Sequence, residues 1–188
     1  MKTFDATNSN TLSEGLKFQP GLRVENNCQN CGINQVRIYG LDGPYSQILI
    51  DSRPIVGSLG GVYGLEQIPA NMIEKVEVVR GGGSALMGSS AIGGTINIIT
   101  KEPLKNSAEF SHTIMNFDSS GAFENNTSFN ASMLTDSRKA GMMVFGQHRT
   151  RDGYDYDGDG FTELPTLKNR SLGFRSFLKT GDYSRLTL

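Results

Sequence analysis

Tryptophan is absent from the 188 residues, cysteine occurs twice, and no apolar run reaches the ~18 residues that a membrane-spanning helix needs. A helical span is therefore excluded. Neither sign of charge is in surplus: 18 Lys and Arg stand against 19 Asp and Glu, for a net charge of -1 and a pI of about 6.1. Proteins that hold nucleic acid by bulk charge carry a basic excess, so that partner class falls away. With 37% hydrophobic residues and a mean hydropathy of -0.32, the chain is also too polar for a bundle of membrane helices. Met1 leads into Lys2-Thr3-Phe4-Asp5-Ala6-Thr7-Asn8, with no apolar core of a signal peptide behind it. The last residues, Ser184-Arg185-Leu186-Thr187-Leu188, stop within a strand-like alternation. Both ends lead us to expect a piece of something longer. No nucleophile stands in a pattern with a base and an orienting group, so an enzyme is not expected.

What the sequence has in abundance is glycine, 23 residues or roughly one in eight. Helices tolerate that poorly, and the composition points to strands, turns and closely packed loops. Residues 11–18 read as a short helix, with Thr11 as N-cap, Glu14 at the capping-box spacing and Pro20-Gly21 as the stop. Strands are expected over Gln35-Val36-Arg37-Ile38, Gln47-Ile48-Leu49-Ile50, Lys75-Val76-Glu77-Val78-Val79 and Thr95-Ile96-Asn97-Ile98-Ile99-Thr100. Gly40 to Pro44 turns the chain, Asp51 to Pro54 closes the second strand, and Pro69 takes a first helical position before Ala70 to Ile73. Residues 1–103 thus form an α+β domain with short helices.

From about residue 106 the texture changes to longer alternating segments. Between Phe123 and Leu134, one parity holds Phe123, Phe129, Ala131 and Met133, and the other Glu124, Asn126, Ser128, Asn130 and Ser132. Ala140 to His148 is apolar on both faces for part of its length. In Ser171 to Lys179, Arg175 and Lys179 stand opposite Leu172, Phe174 and Leu178. Periodicity alone leaves two readings open, a soluble meander and transmembrane β-strands.

Several motifs follow one another in the first half: Gln35-Val36-Arg37-Ile38-Tyr39-Gly40-Leu41-Asp42-Gly43, then Gln47 to Pro54, then Ile68-Pro69-Ala70-Asn71-Met72-Ile73-Glu74-Lys75-Val76-Glu77-Val78-Val79-Arg80-Gly81. Ser84-Ala85-Leu86-Met87-Gly88 and Ala91 to Lys101 complete the series. It resembles the plug domain of TonB-dependent outer-membrane receptors, in the order that family uses. The resemblance implies an α+β plug with a mixed sheet, followed over 104–188 by the first antiparallel strands of a truncated transmembrane β-barrel. Such a barrel needs about 22 strands of about ten residues. About four and the start of a fifth are expected here, with the TonB box and first plug strand upstream. Gly81-Gly82-Gly83 departs from the more usual Gly-Pro after the arginine. The resemblance further implies a Gram-negative outer-membrane location, outer-membrane lipid and the TonB complex as partners, and a small imported ligand. Corrinoid, haem or ferric siderophore fits the stretch from Arg80 to Ser84 better than oligosaccharide. By the same resemblance Arg80 pairs with barrel carboxylates, the alternative being a solvated strand-end charge.

Other motifs are weighed beside this. Gly88 is followed by Ser89-Ser90 and not by Lys-Ser/Thr, so the glycine run is a tight connection and not a phosphate loop. Cys28-Gln29-Asn30-Cys31 allows a redox dithiol, half a zinc site or a local disulfide. Its flanks, Asn26-Asn27 and Gly32, read as loop, and the only histidines, His112 and His148, are far away. The oxidising envelope that the resemblance implies favours the disulfide. In a haem receptor the two histidines are candidate ligands, against surface residues of ordinary strands. Asp155, Asp157 and Asp159 followed by Gly160 reproduce the first half of a calcium loop. The Phe161 carbonyl and Glu163 extend the ligand set, while Pro165 and Thr166 break the EF-hand pattern. A plain acidic loop tip is the alternative. The rival for the whole chain is a secreted, calcium-dependent, β-rich adhesion module.

Overall fold

Thr11 opens α1 (Leu12–Leu16) as its N-cap, its hydroxyl accepting from the Glu14 amide at 3.5 Å. The Glu14 carboxylate returns the bond to the Asn10 amide at 2.7 Å, one residue earlier than the usual capping box. The helix expected over 11–18 closes at Leu16, because the amides of Lys17, Phe18 and Gln19 each reach back three residues and tighten the chain ahead of Pro20. The computed structural model describes residues 4, 6, 7, 9–28, 33–55, 65–82, 91–118 and 121–188, with the backbone alone at 26–28 and 33. They fall into two units, Met1–Thr100 and Lys101–Leu188.

In the first unit, β1 (Leu22–Cys28) and β2 (Ile33–Ile38) form an antiparallel hairpin, Leu22 opposite Ile38 and Val24 opposite Val36. β1 is absent from the sequence reading. Asn26 and Asn27 disfavour strand on propensity, yet Leu22 and Val24 alternate with Arg23 and Glu25 as a half-buried strand requires. Arg37 joins the hairpin by an ion pair to Glu25 at 2.6 Å. β3 (Ser46–Ile50), β4 (Arg53–Pro54), β5 (Ile73–Arg80) and β6 (Gly94–Thr100) make a mixed sheet in the order β4-β3-β6-β5. β3 runs parallel to β6, and β5 antiparallel to it. β6 is the central strand, and Ile96 and Ile98 are fully buried in it with Leu12, Leu16, Ile38 and Leu49 as further core. Pro69 precedes a 3-10 turn, Ala70–Met72, and not an α-helix; its carbonyl accepts the Met72 amide.

Two details hold this sheet. The β3–β4 turn places Asp51 and Ser52 at positive φ (47° and 65°). The Asp51 carboxylate then accepts from the Thr100 amide at 3.0 Å and its hydroxyl at 2.7 Å, tying the turn to the end of β6. At the other end of β6, Gly94 sits at φ 147° beneath β5, where a Cβ would lie 2.4 Å from the Val79 carbonyl. Only glycine fits there.

The second unit is an antiparallel meander of β7 (Ser107–Phe117), β8 (Ala122–Leu134), β9 (Ala140–Arg151), β10 (Leu167–Lys179) and β11 (Arg185–Thr187), in that spatial order. β7 to β10 pair without a register shift. Glycines in β9 and β10 lie under the phenylalanine directly across: Gly146 under Phe129, Gly173 under Phe145, Gly141 under Phe177. Cross-strand aromatics cover the bare backbone there, which is why the stretch from Ala140 reads as apolar on both faces. No helix among the described residues is long and apolar enough to cross a membrane, which bears on helices alone.

Candidate functional site

Directly opposed residues of an antiparallel pair share a face, so the register sorts the second unit into two surfaces. One carries Phe110, Phe129, Gly146 and Leu172 in a single row, with Ala131, Val144 and Phe174 in the next. This apolar surface is the exposed one: Leu172 is 78% exposed, Phe110 73% and Phe174 64%. The opposite surface holds Glu124, Asn126, Asn130, Ser132, Gln147 and Arg149, all buried. A water-soluble meander puts these parities the other way round. Polar residues inward and apolar residues outward are the arrangement of a transmembrane barrel wall.

The buried surface is held by charge. Arg149 Nε donates to Glu124 Oε1 at 2.5 Å, and Arg151 Nη1 lies 3.5 Å from Glu124 Oε2. Glu102 meets Arg175 and Arg185, each at 3.2 Å, and Asn130 donates to Glu109 at 2.7 Å. Both strand carboxylates, Glu109 and Glu124, stand on this side.

At one end the strands are joined by turns over 135–139 and 180–184; at the other lies the longer loop 152–166. Its base is pinned. Tyr154 and Leu164 exchange backbone bonds at 2.9 and 3.2 Å, the Tyr154 ring stacks on Phe117 at 5.8 Å, and Arg151 Nε donates to the Pro165 carbonyl. Burial of the phenol, then the nearby Asp118 carboxylate, Tyr156 and Glu163, push the Tyr154 hydroxyl above the usual range. At the tip, carboxylate oxygens of Asp155, Asp157, Asp159 and Glu163 all come within 4.8 Å of one another. Ligands about 2.4 Å from a common calcium ion lie no more than about 4.8 Å apart, so this donor set fits a hard cation. The same oxygens accept backbone amides: Gly158 and Gly160 donate to Asp155 at 2.7 and 2.9 Å, Asp159 to Asp157 at 3.2 Å, Phe161 to Asp159 at 2.8 Å, and Tyr156 to Glu163 at 2.5 Å. Of the five expected ligands, four carboxylates are thus gathered, and Phe161 lies in the same tip.

The remaining expected residues are more scattered. Arg80, at the end of β5, donates to the Pro20 carbonyl, with Gly21 packed against its guanidinium. The cysteine pair lies outside the described residues, Cys31 wholly and Cys28 in its side chain. The backbone does correct the loop reading of its flank: Asn26 to Cys28 end β1, with a bulge between Asn26 and Cys28. His112 Nδ1 is 2.8 Å from Thr127 Oγ1, and His148 is the partner of Thr127 on the other side. Both histidines are exposed and stand on the face of Phe110, Phe129 and Leu172, not on that of Glu124 and Arg149. The sequence reading missed the Glu124–Arg149–Arg151 cluster. Its signal was Glu124 on the polar parity of β8 and two arginines of equal parity on β9.

The family model described as TonB-dependent Receptor Plug Domain matches residues 1–95, half of the chain. The chain belongs to that family. Its first unit is a TonB-dependent receptor plug, and the exposed apolar sheet after it is the start of the barrel wall. Among curated relatives, the ferric enterobactin receptor of Pseudomonas aeruginosa is 32% identical over 107 residues, covering 50% of this chain and 14% of the relative. The vitamin B12 transporter BtuB of Vibrio vulnificus is 36% identical over 96 residues, 51% of this chain and 16% of the relative. The crystal structure of the siderophore receptor PirA from Acinetobacter baumannii superposes with a TM-score of 0.73 at 25% identity, covering 92% of this chain and 27% of that one. The chain therefore spans well under a third of each. TonB-dependent receptors reside in the Gram-negative outer membrane, which fixes the location of this chain, and they are not enzymes. The adhesion module is left without support.

Proposed function

We propose that this chain forms the plug and first wall strands of a receptor that binds a scarce extracellular ligand and imports it with energy delivered through TonB. The ligand class is a ferric siderophore, a corrinoid or haem. The observation that carries the reading is the plug sheet followed directly by a meander whose polar parity is buried and whose apolar parity is bare. A siderophore receptor and a B12 transporter among the relatives support the ligand class. In this reading the mixed sheet, locked at Asp51 and Gly94, is the rigid body that moves or yields within the lumen when pulled. Arg80 engages wall carboxylates, and the loop 152–166 faces outside the cell, since long loops are extracellular in such barrels and turns periplasmic. The test is uptake of labelled ferric enterobactin, haemin and cyanocobalamin by a Gram-negative host lacking its own receptors. Saturable uptake of one of them, abolished on deletion of TonB, is the expected result. Uptake that persists without TonB, or no gain over the empty host for any of the three, contradicts the reading.

The loop tip belongs to the same proposal. Calcium held by Asp155, Asp157, Asp159 and Glu163 would replace like-charge repulsion among four carboxylates by a common counter-ion and order the tip over the ligand mouth. Support comes from the convergence of four carboxylate oxygens within 4.8 Å. Extracellular sites of this kind bind at about 10⁻⁴ to 10⁻³ M, concentrations met outside cells. Asp157→Asn with Asp159→Asn should weaken ligand binding only when calcium is present. Equal affinity of the unaltered receptor with calcium and with chelator rejects the coupling.

A further inference from the structure

The exposed surface of the second unit changes character along the strands. One row nearer the long loop than Phe110, Phe129, Gly146 and Leu172, the register places His112, Thr127, His148 and Arg170 side by side across β7 to β10. Lys168 stands two residues further along β10 on the same face, and His112, His148, Lys168 and Arg170 are all exposed. No described strand residue on that face between 107 and 179 is acidic, because Glu109 and Glu124 both stand on the other. A wall that meets hydrocarbon has no use for four basic or titratable side chains in adjacent rows, unless something anionic lies beside them.

We propose that this row binds the phosphate of an anionic lipid in the outer leaflet. Strands about 4.8 Å apart spread four side chains over about 14 Å, the width of one large lipid headgroup. Arg170 offers paired N–H donors to phosphate oxygens, and Lys168 adds a point charge beside it. His112, already bonded to Thr127 Oγ1 at 2.8 Å, completes the polar edge with His148. The acyl chains of the same lipid then lie along Phe110, Phe129 and Leu172 directly below, so headgroup and tail sites are continuous. Charge complementarity on an acid-free face, joined to a bilayer-facing apolar band, selects a lipid over a protein partner. The inference rests on the barrel wall facing lipid with its long loop outward, and it is independent of which ligand is imported.

The test titrates the intact receptor in zwitterionic micelles with diphosphorylated lipid A, and separately with the same lipid stripped of both phosphates, reading bound lipid by native mass spectrometry. The phosphorylated lipid should bind at least about tenfold tighter, and the preference should shrink in high salt. With each cation worth about a fivefold change near an anionic surface, Arg170→Gln should weaken binding about fivefold and the double variant with Lys168→Gln about thirtyfold. Both positions are solvent-exposed, so neither change threatens the fold. Equal binding of the two lipids overturns the proposal. So does a double variant that binds like the parent, or self-association through this face with no lipid preference. Because ligand uptake is not measured, any of these outcomes leaves the import reading standing.

Discussion

Replacing Glu124 by Gln removes one negative charge from between two guanidinium groups without changing the shape of the side chain. Glu124 is 3% exposed and Arg149 4%, and their bond is 2.5 Å. The carboxylate also lies 3.5 Å from Arg151, so one buried anion serves two cations, and its loss removes the counter-charge they share. Breaking a buried pair from one side costs about 3–5 kcal/mol. The amide oxygen of Gln still accepts one bond from Arg149, which puts the expectation near the lower end, about 3 kcal/mol, or roughly a hundredfold in the folding equilibrium. The assay is urea unfolding of the intact receptor in lipid vesicles, followed by far-UV circular dichroism. Adding Arg149→Met removes the buried cation that Glu124 faces, so the double variant should be more stable than the sum of the two single losses by about 2 kcal/mol. A loss below about 1 kcal/mol for Glu124→Gln, or strict additivity in the cycle, refutes the claim that this cluster is a buried structural charge network.

In the plug, Asp51→Ala removes the acceptor of two Thr100 donors and places alanine at positive φ; a loss of about 2 kcal/mol in denaturant unfolding is expected, and a neutral variant contradicts the tie. Gly94→Ala should cost at least about 2 kcal/mol or fail to yield folded plug, because its Cβ meets the Val79 carbonyl at 2.4 Å; unchanged stability counts against the register of β5 on β6. The Lys75 ammonium, 2.6 Å from Glu77, holds that carboxyl below the ordinary glutamate value, by hydrogen bond first and charge second. Its folded value lies below its unfolded one, so the stabilisation is present above the unfolded value and fades as pH falls through the folded one. An NMR titration should find Glu77 low, and Lys75→Met should return it to the ordinary range; no movement on substitution rejects the pairing.

Much of the architecture was legible because its determinants are local. The Thr11–Glu14 cap, the turn at Asp51 and the two-residue alternation of β8 and β10 each lie within a few residues of sequence. What was not legible depends on partners remote in the chain. β1 is a strand because Leu22 and Val24 find Ile38 and Val36, overriding the poor propensity of Asn26 and Asn27. Pro69 reads as a helix start, yet the chain it introduces turns directly into β5 after a single 3-10 turn. Periodicity separated two faces in the second unit but could not say which one meets water. That needed the burial of Glu124, Asn130 and Arg149. At the candidate site, the acidic tip was visible from the spacing of Asp155, Asp157 and Asp159. Glu163, expected as a further ligand, comes beside them where the Tyr154–Leu164 bridge folds the loop back on itself. For the histidines, residue type suggests a ligand, and only the register shows that both stand on the exposed face.

The central claim is that β7 to β11 form a bilayer-facing wall with an inverted polarity. Nitroxide labels placed one at a time from 171 to 178 along β10, in the intact receptor in outer membranes, test it most directly. Labels at 172, 174 and 178 should be reached by oxygen dissolved in the bilayer and shielded from a water-soluble nickel relaxant. Labels at 171, 173 and 175 should show the opposite or be immobilised. A period-two pattern of that phase is the predicted result, and uniform access by the aqueous relaxant, or the reverse phase, would contradict it.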